Sequence, residues 1–519
     1  MPGARPAYPG EAAHEGTELA GRAALENGIR GGFAPRQIAL CGAHVVVGAL
    51  VVFVAIVGIG VPDAAPDEDT YRSCAESYLH GHFSCNLEHP LLAKELMSAT
   101  LFVGGDSITA ARVAAALAAL ATAWCCYLFV TDVAGCFAGL VAATAFGVLG
   151  QQGVEGSVTL EVVRIDRYGL LDPFVACFFA AALTLGRRWW KRGGWRLAAA
   201  TGAACAAAAC SKATGILVAP VVLAIPLVAA ARRHRLAREA GAALAAGVLV
   251  AVISYAPLGP SGAIRAIRYM FSFQDSYPDR TVLVASHVFF VAPWWADFSF
   301  AIVGLSLLVA VALAAAAAVG ALGNRGPALY ALGAAASIVL VTGVGLHFSA
   351  PHYYLDWLPG LAIGAGVGFG VLMRHRSTRL LGVALLVVLV AASVSSVRAV
   401  VDVVPGPYEL AAPAASCEGK CVAAYVGYID ILVNYMPSAE QLVPGPPVVI
   451  GSAVVVEARR HGKPYLVAPQ IVVIDPATIE LHPNWRRDIT NFETDAARVG
   501  YERLASPGRI EVYRRSRAA

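Results

Sequence analysis

Charge is what this sequence has least of. Asp, Glu, Lys and Arg make up 14% of its 519 residues, against about a quarter in an ordinary soluble domain. That shortage excludes a plain water-soluble globule. No repeat with a period of about 20 to 50 residues is apparent, which argues against solenoids and propellers. Inverted transporter repeats are too weak to see by eye. Residues 1–36 are rich in Gly, Ala, Pro and Glu and have no apolar core. They therefore read as a disordered tail and not as a signal peptide. Residues 402–519 show no metal-ligand or nucleophile spacing.

Apolar sequence fills the space that charge leaves. Hydrophobic residues make up 58% of the chain. Runs near the length that crosses a bilayer fall at 37–62, 107–130, 133–150, 167–186, 197–210, 213–231, 240–257, 298–321, 327–346, 353–373 and 380–401. Basic turns sit at Arg187 to Arg196, Arg232 to Arg238, Arg325 and Arg374 to Arg379. The positive-inside rule puts these turns in the cytoplasm. Loops 63–106, 151–166, 258–297 and 347–352 then face outward, as does everything after 401. The expected fold class is an all-α polytopic membrane protein of about eleven transmembrane helices, with its N-terminus cytoplasmic.

Residues 402–519 carry short β-branched runs at 448–458, 465–475 and 509–515, separated by Pro, Gly and Asn. They predict a small extracytoplasmic α/β or mostly β domain, read as a packing or recognition module. The domain plan is 1–36 tail, 37–401 transmembrane domain with outer loop 63–106, and 402–519 C-terminal domain.

Seven of the 11 cysteines lie in apolar runs, as small fillers. The other four form two close pairs, Cys74/Cys85 and Cys417/Cys421. Each is a candidate disulfide if its segment faces an oxidising compartment.

Polar chemistry gathers in the first outer loop. Asp67, Glu68 and Asp69 are adjacent, so mutual repulsion would raise one pKa and make a proton acceptor. The competing reading is an acidic helix start, with Pro66 and Asp67 as the capping signal. Glu88 and His89 are candidates for a divalent ion, and Lys94 suits an anionic group. Arg167 opens another outer mouth, where its forked guanidinium fits a phosphate; Asp172 follows one helical turn deeper.

Residues 197–231 are basic at both ends and too long for one upright helix. They predict two short helices that rise and return, with Ser211 and Lys212 at the outer apex. Loop 258–297 adds Gln274, Asp275, His287, Trp294 and Trp295, either an interfacial aromatic belt or a sugar platform. His352, Tyr353 and Tyr354 start another span from the outer side.

These segments resemble the protein O-mannosyltransferases and their relatives that transfer aminoarabinose to lipid A. Asp67-Glu68 matches the family's first-loop Asp-Glu pair. His89-Pro90-Leu91-Leu92-Ala93-Lys94 matches its His-Pro-Pro-Leu-x-Lys element. Arg167 to Asp172 matches Arg-Tyr-x-Leu-Leu-Asp, and Ser211 to Gly215 matches Ser-Lys-x-Thr-Gly. The stretch from His287 to Trp295 is similar to a later His…Trp-Trp loop.

Leu91 departs from the second proline, and Glu88 stands directly before the histidine. A carbohydrate-recognition insertion between later spans has no counterpart here. The resemblance implies a GT-C type membrane glycosyltransferase using a polyprenyl-phosphate sugar and inverting the anomeric centre. In it Asp67 would be the base, assisted by Glu68. Lys94, Arg167 and Lys212 would serve the lipid phosphate, and Glu88, His89, His287, His352 and Tyr353 would line the substrate site.

The implied partners are the lipid-linked donor, membrane lipid and a protein, lipid or glycan acceptor, with no nucleic acid; a divalent ion is the one candidate cofactor. The implied location is the plasma membrane. Two other classes fit the same composition: a transporter or flippase of a lipid-linked sugar, and a non-catalytic scaffold with an outer binding domain.

Overall fold

The structure is a computed structural model that describes residues 35–61, 67–150, 164–276 and most of 282–516. The predicted tail, apart from its last two residues, lies outside the described residues, and so does Cys417 of the second candidate disulfide. The chain divides into two units, Met1–Leu50 and Val51–Ala519. In the first, the described residues belong to helix α1 (Pro35–Ile56), which continues into the second.

Every apolar run of the sequence lies on helix. After α1 come α2 (Glu68–Leu79), α3 (Leu92–Gly104), α4 (Ile108–Ala134), α5 (Cys136–Gly147), α6 (Asp172–Arg192), α7 (Trp195–Ser211), α8 (Val218–Arg232), α9 (Leu236–Tyr255) and α10 (Gly259–Ser276). A short hairpin, β1 (Val282–Val284) with β2 (His287–Phe289), leads to α11 (Ala296–Leu305), α12 (Leu307–Gly323), α13 (Arg325–Val339), α14 (Leu358–Arg374) and α15 (Arg379–Val401).

Fewer of these helices than expected are spans by length and composition. Among the described residues six helices are long and apolar enough, and the pair α11 and α12, bent by 110°, makes a seventh if it is one span. Helices α5 and α14 are apolar but short.

Small residues set the packing. Gly368 and Gly320 bring α14 and α12 together so closely that a Cβ on Gly368 would lie 1.7 Å from the Ala316 carbonyl oxygen. Small residues permit such approaches between helices in apolar surroundings.

The C-terminal region is a three-layer α/β unit. Five strands, β3 (Cys421–Val426), β4 (Ala439–Pro444), β8 (Ile471–Ile474), β9 (Tyr501–Leu504) and β10 (Glu511–Arg515), lie in the order β4-β3-β8-β10-β9. β3 runs parallel to β4 and β8, while β10 is antiparallel to β8 and β9.

Alternate side chains of the sheet serve opposite layers, as the period of two requires. Ala424, Val426, Val472 and Ile474 pack with Ile489 and Phe492 of α17 (Arg486–Asp495). Ala423, Tyr425, Ile471 and Val473 pack with Tyr408 and Ala411 of α16 (Pro407–Ala415). A separate meander, β5 (Val448–Ile450), β6 (Ala453–Arg460) and β7 (Lys463–Val467), is antiparallel throughout. The run 448–458 thus breaks into two strands at Gly451, whose φ of +64° suits glycine.

Candidate active site

Of the three adjacent carboxylates, two are taken. Glu68 is fully buried and accepts from Arg112 Nε at 2.8 Å and Nη2 at 2.9 Å. The Gly169 backbone N–H adds a bond of 2.6 Å to Glu68 Oε1. Arg112 also donates to the Ile59 carbonyl and lies 4.5 Å over the Tyr168 ring. Asp69 accepts from Arg72 Nε and Nη2 at 3.0 and 2.7 Å.

Asp67 stands apart from both. It occupies the N-cap position of α2 yet makes no capping hydrogen bond, which removes the side-chain half of the competing reading. It is open to solvent, while the protein mass around it raises its carboxyl above the ordinary range. Lys212 opposes that rise, and Asp172 and Glu88 add to it. Tyr71 lies in the same field: burial and then Asp67 push its hydroxyl well up.

The hairpin predicted at Lys212 is present. Helix α7 ends at Ser211, Lys212 is extended (φ −153°, ψ 145°), and a 3-10 turn at Ala213–Leu217 leads back into α8. Gly215 makes the reversal possible: a Cβ there would lie 2.1 Å from the Ala208 carbonyl oxygen.

Lys212 Nζ meets Asp172 Oδ1 at 2.5 Å and lies 3.6 Å over the Tyr353 ring. His352 Nε2 stands 3.7 Å from Asp172 Oδ2. Burial and then Lys212 hold His352 down at about 4, against the pull of Asp172, so its imidazole is neutral. Thr214 Oγ1 donates to Asp356 Oδ2 at 3.0 Å.

Asp67, Asp172, Lys212, His352 and Tyr353 therefore form one electrostatic cluster, with Glu88 and His89 at its border. The His89 ring packs edge-on to Tyr71 at 5.6 Å. Burial, with Lys94 and Lys212, lowers its pKa to about 3. Asn86 Nδ2 donates to Glu88 Oε1 at 2.6 Å.

Among the described residues no group of three or more His, Cys, Asp or Glu side chains is arranged for a metal. Glu88 and His89 alone are two donors short of a tetrahedral set. The described side chains beside Glu88 and His89 complete no donor set for a divalent ion.

Two predicted phosphate ligands point elsewhere. Arg167 donates to the Val54 and Val57 carbonyls at 3.2 and 2.6 Å, closing the C-terminal end of α1. Lys94 is fully buried and donates to Asn86 O at 2.6 Å and to Asn86 Oδ1 and His89 O, both at 3.2 Å. Both fix backbone, because helix-end and turn carbonyls need donors. His287 lies on the β1–β2 hairpin opposite Val284. Trp295 meets Phe289 edge-on at 5.7 Å. The side chains of Gln274 and Asp275 lie outside the described residues.

Cys74 and Cys85 are disulfide-bonded, with Cα atoms 5.3 Å apart, and clasp the loop as the sequence spacing allowed. Arg112 and Asp356 escaped the sequence reading. Arg112 carried a visible signal, a lone arginine in the Ala-rich run 107–130, since charge at membrane depth demands a partner.

No protein-family model matches the chain, and no curated protein does. Solved structures do. ArnT from Cupriavidus metallidurans, bound to undecaprenyl phosphate, superposes with a TM-score of 0.57 at 16% identity over 93% of this chain and 99% of that one. Its apo state gives 0.58 at the same identity, over 93% and 98%. The archaeal oligosaccharyltransferase AglB from Archaeoglobus fulgidus, with an inhibitory peptide and a dolichol-phosphate, gives 0.52 at 10% identity over 93% and 75%. At these identities the likeness establishes the fold alone: the chain shares the architecture of these solved structures.

Proposed function

We propose that this chain is an integral-membrane glycosyltransferase. It moves a sugar from a polyprenyl-phosphate donor to an acceptor hydroxyl at the outer face of the plasma membrane, with inversion. Asp67 carries the reading: alone among three adjacent carboxylates it is open to solvent and directed into the field of Lys212 and Asp172. The lipid phosphates bound by ArnT and AglB support the donor class. The Cys74–Cys85 bond supports the outer placement of the loop, because cytoplasmic thiols are kept reduced.

In this reading the acceptor O–H gives its proton to Asp67. Its oxygen bonds the anomeric carbon as the bond from that carbon to the phosphate oxygen breaks. Polyprenyl phosphate leaves with the electron pair, and Lys212 stabilises its charge. Asp172 holds Lys212 in place beforehand, and neutral His352 and Tyr353 supply polar contacts to the sugar or phosphate. Glu68, Arg167 and Lys94, engaged as described, serve as frame; the phosphate role rests on Lys212. The acceptor is a protein Ser/Thr, a lipid or a glycan.

The test is sugar transfer by the purified protein from a panel of polyprenyl-phosphate sugars, beside Asp67→Asn. Loss of turnover in the variant supports the assignment, and undiminished turnover removes Asp67 from the role. If no donor in the panel is turned over by the unaltered protein, the glycosyltransferase reading itself falls.

A further inference from the structure

Helix α10 follows α9 after a single turn at residues 256–258. The apolar stretch from Leu236 to Phe273 is 38 residues long, about 57 Å of helix against a hydrocarbon core of about 30 Å. It cannot all lie within the core. Helix α9, with 20 residues, already matches the core thickness, so α10 begins at the membrane surface opposite the basic turn of Arg232 to Arg238. Tyr255 and Leu258 pack against Cys74, Tyr78 and Leu91, on the side of the loop that carries Asp67.

Helix α10 presents three faces. Gly262, Ala266 and Met270 turn inward and are buried. Ile264, Ile267 and Phe271 form a continuous apolar stripe at spacings of three and four, and they are 53%, 40% and 59% exposed. Arg265 and Arg268, one turn apart, are exposed along the edge of that stripe. Neither has an ion-pair or hydrogen-bond partner among the described residues. An apolar stripe edged by cations is the pattern of a helix seated in the headgroup zone. Two forked guanidinium groups on that edge complement a phosphate.

We propose that α10 docks an anionic lipid of the surrounding bilayer, with Arg265 and Arg268 on its headgroup phosphate and Ile264, Ile267 and Phe271 along its acyl chains. The inference is independent of the glycosyltransferase reading and stands or falls without it.

The experiment uses the full chain in nanodiscs of phosphatidylcholine with or without phosphatidylglycerol. Lipid retention is read by native mass spectrometry and the unfolding midpoint by thermal denaturation. Phosphatidylglycerol is expected to be retained and to raise the midpoint. Arg265→Gln/Arg268→Gln is expected to weaken retention by about thirtyfold, from about 1 kcal/mol for each arginine. Arg265→Lys/Arg268→Lys keeps most of the retention.

Inorganic phosphate in phosphatidylcholine discs leaves the midpoint unchanged. Equal retention by the Gln variant and the unaltered protein overturns the proposal, as does equal protection by inorganic phosphate. Should the Gln variant fail to fold in phosphatidylcholine, a salt titration of the unaltered protein decides. Release of phosphatidylglycerol with rising salt supports the clamp, and salt-independent retention overturns it.

Discussion

Arg112 grips both oxygens of Glu68, at 2.8 and 2.9 Å, across 44 residues of sequence, and solvent reaches neither side chain. This buried pair joins the start of the first loop to α4. Removing one partner strands a charge, which costs about 3–5 kcal/mol, whereas an apolar pair of similar volume is tolerated far better. Glu68→Leu and Arg112→Leu should each lower the thermal midpoint sharply in detergent, and the double variant should recover much of the loss. Two single losses that simply add in the double variant would sink this account.

Gly215 offers a steric test of the Lys212 apex. A methyl group there meets the Ala208 carbonyl at 2.1 Å, while one at Gly241 meets nothing within 4 Å. Gly215→Ala should displace Lys212 and reduce transfer by about a hundredfold, the effect of a misplacement near 1 Å. Gly241→Ala should leave transfer unchanged. Steady-state kinetics on both variants makes the comparison.

The pH profile tests Asp67. A base must be ionised, and the protein mass around Asp67 raises this carboxyl, with Lys212 opposing and Asp172 and Glu88 adding to the rise. Transfer should therefore be present above the raised pKa and lost as pH falls through it, at a pH above the ordinary aspartate value of about 3.9. Asp172→Asn removes a negative neighbour and should move the acid limb down. Lys212→Met should move the residual limb up. A kcat/KM profile that ignores both changes would show that another group titrates.

The Cys74–Cys85 bond closes a short loop, its cysteines 11 residues apart. Cross-links of this length contribute about 3 kcal/mol. Cys74→Ser/Cys85→Ser should unfold at lower temperature than the unaltered protein under non-reducing conditions. The two proteins should converge once a reductant is present. A gap that persists after reduction would assign the loss to packing around Tyr78 and Leu91.

Much of the helical order was legible, because apolar runs and basic turns are local signals. All eleven runs lie on helix, and the reversal at Lys212 follows from basic residues at both ends of one run. Partnership was less legible. Whether Asp67, Glu68 or Asp69 is the accessible carboxylate depends on Arg112 and Arg72, and only the second is nearby in sequence. Arg167 and Lys94 show what the sequence leaves out: a cation that meets a phosphate and one that meets carbonyl oxygens look the same in one dimension.

The order β4-β3-β8-β10-β9 has a consequence in time. β10, Glu511–Arg515, is the last strand of the sheet in sequence but sits inside it, between β8 and β9. Arg509, just before it, grips the buried Asp475, and Arg514 donates to the Ala414 and Ser416 carbonyls beside α16. During synthesis β9 has no neighbour in the sheet, and α16 lacks these anchors, until residue 515 has been made. Chains lengthen at about 5–20 residues per second, so the membrane helices precede this event by several seconds. A ribosome stalled near residue 505 would hold the apolar helices already made and a C-terminal sheet still open along its middle.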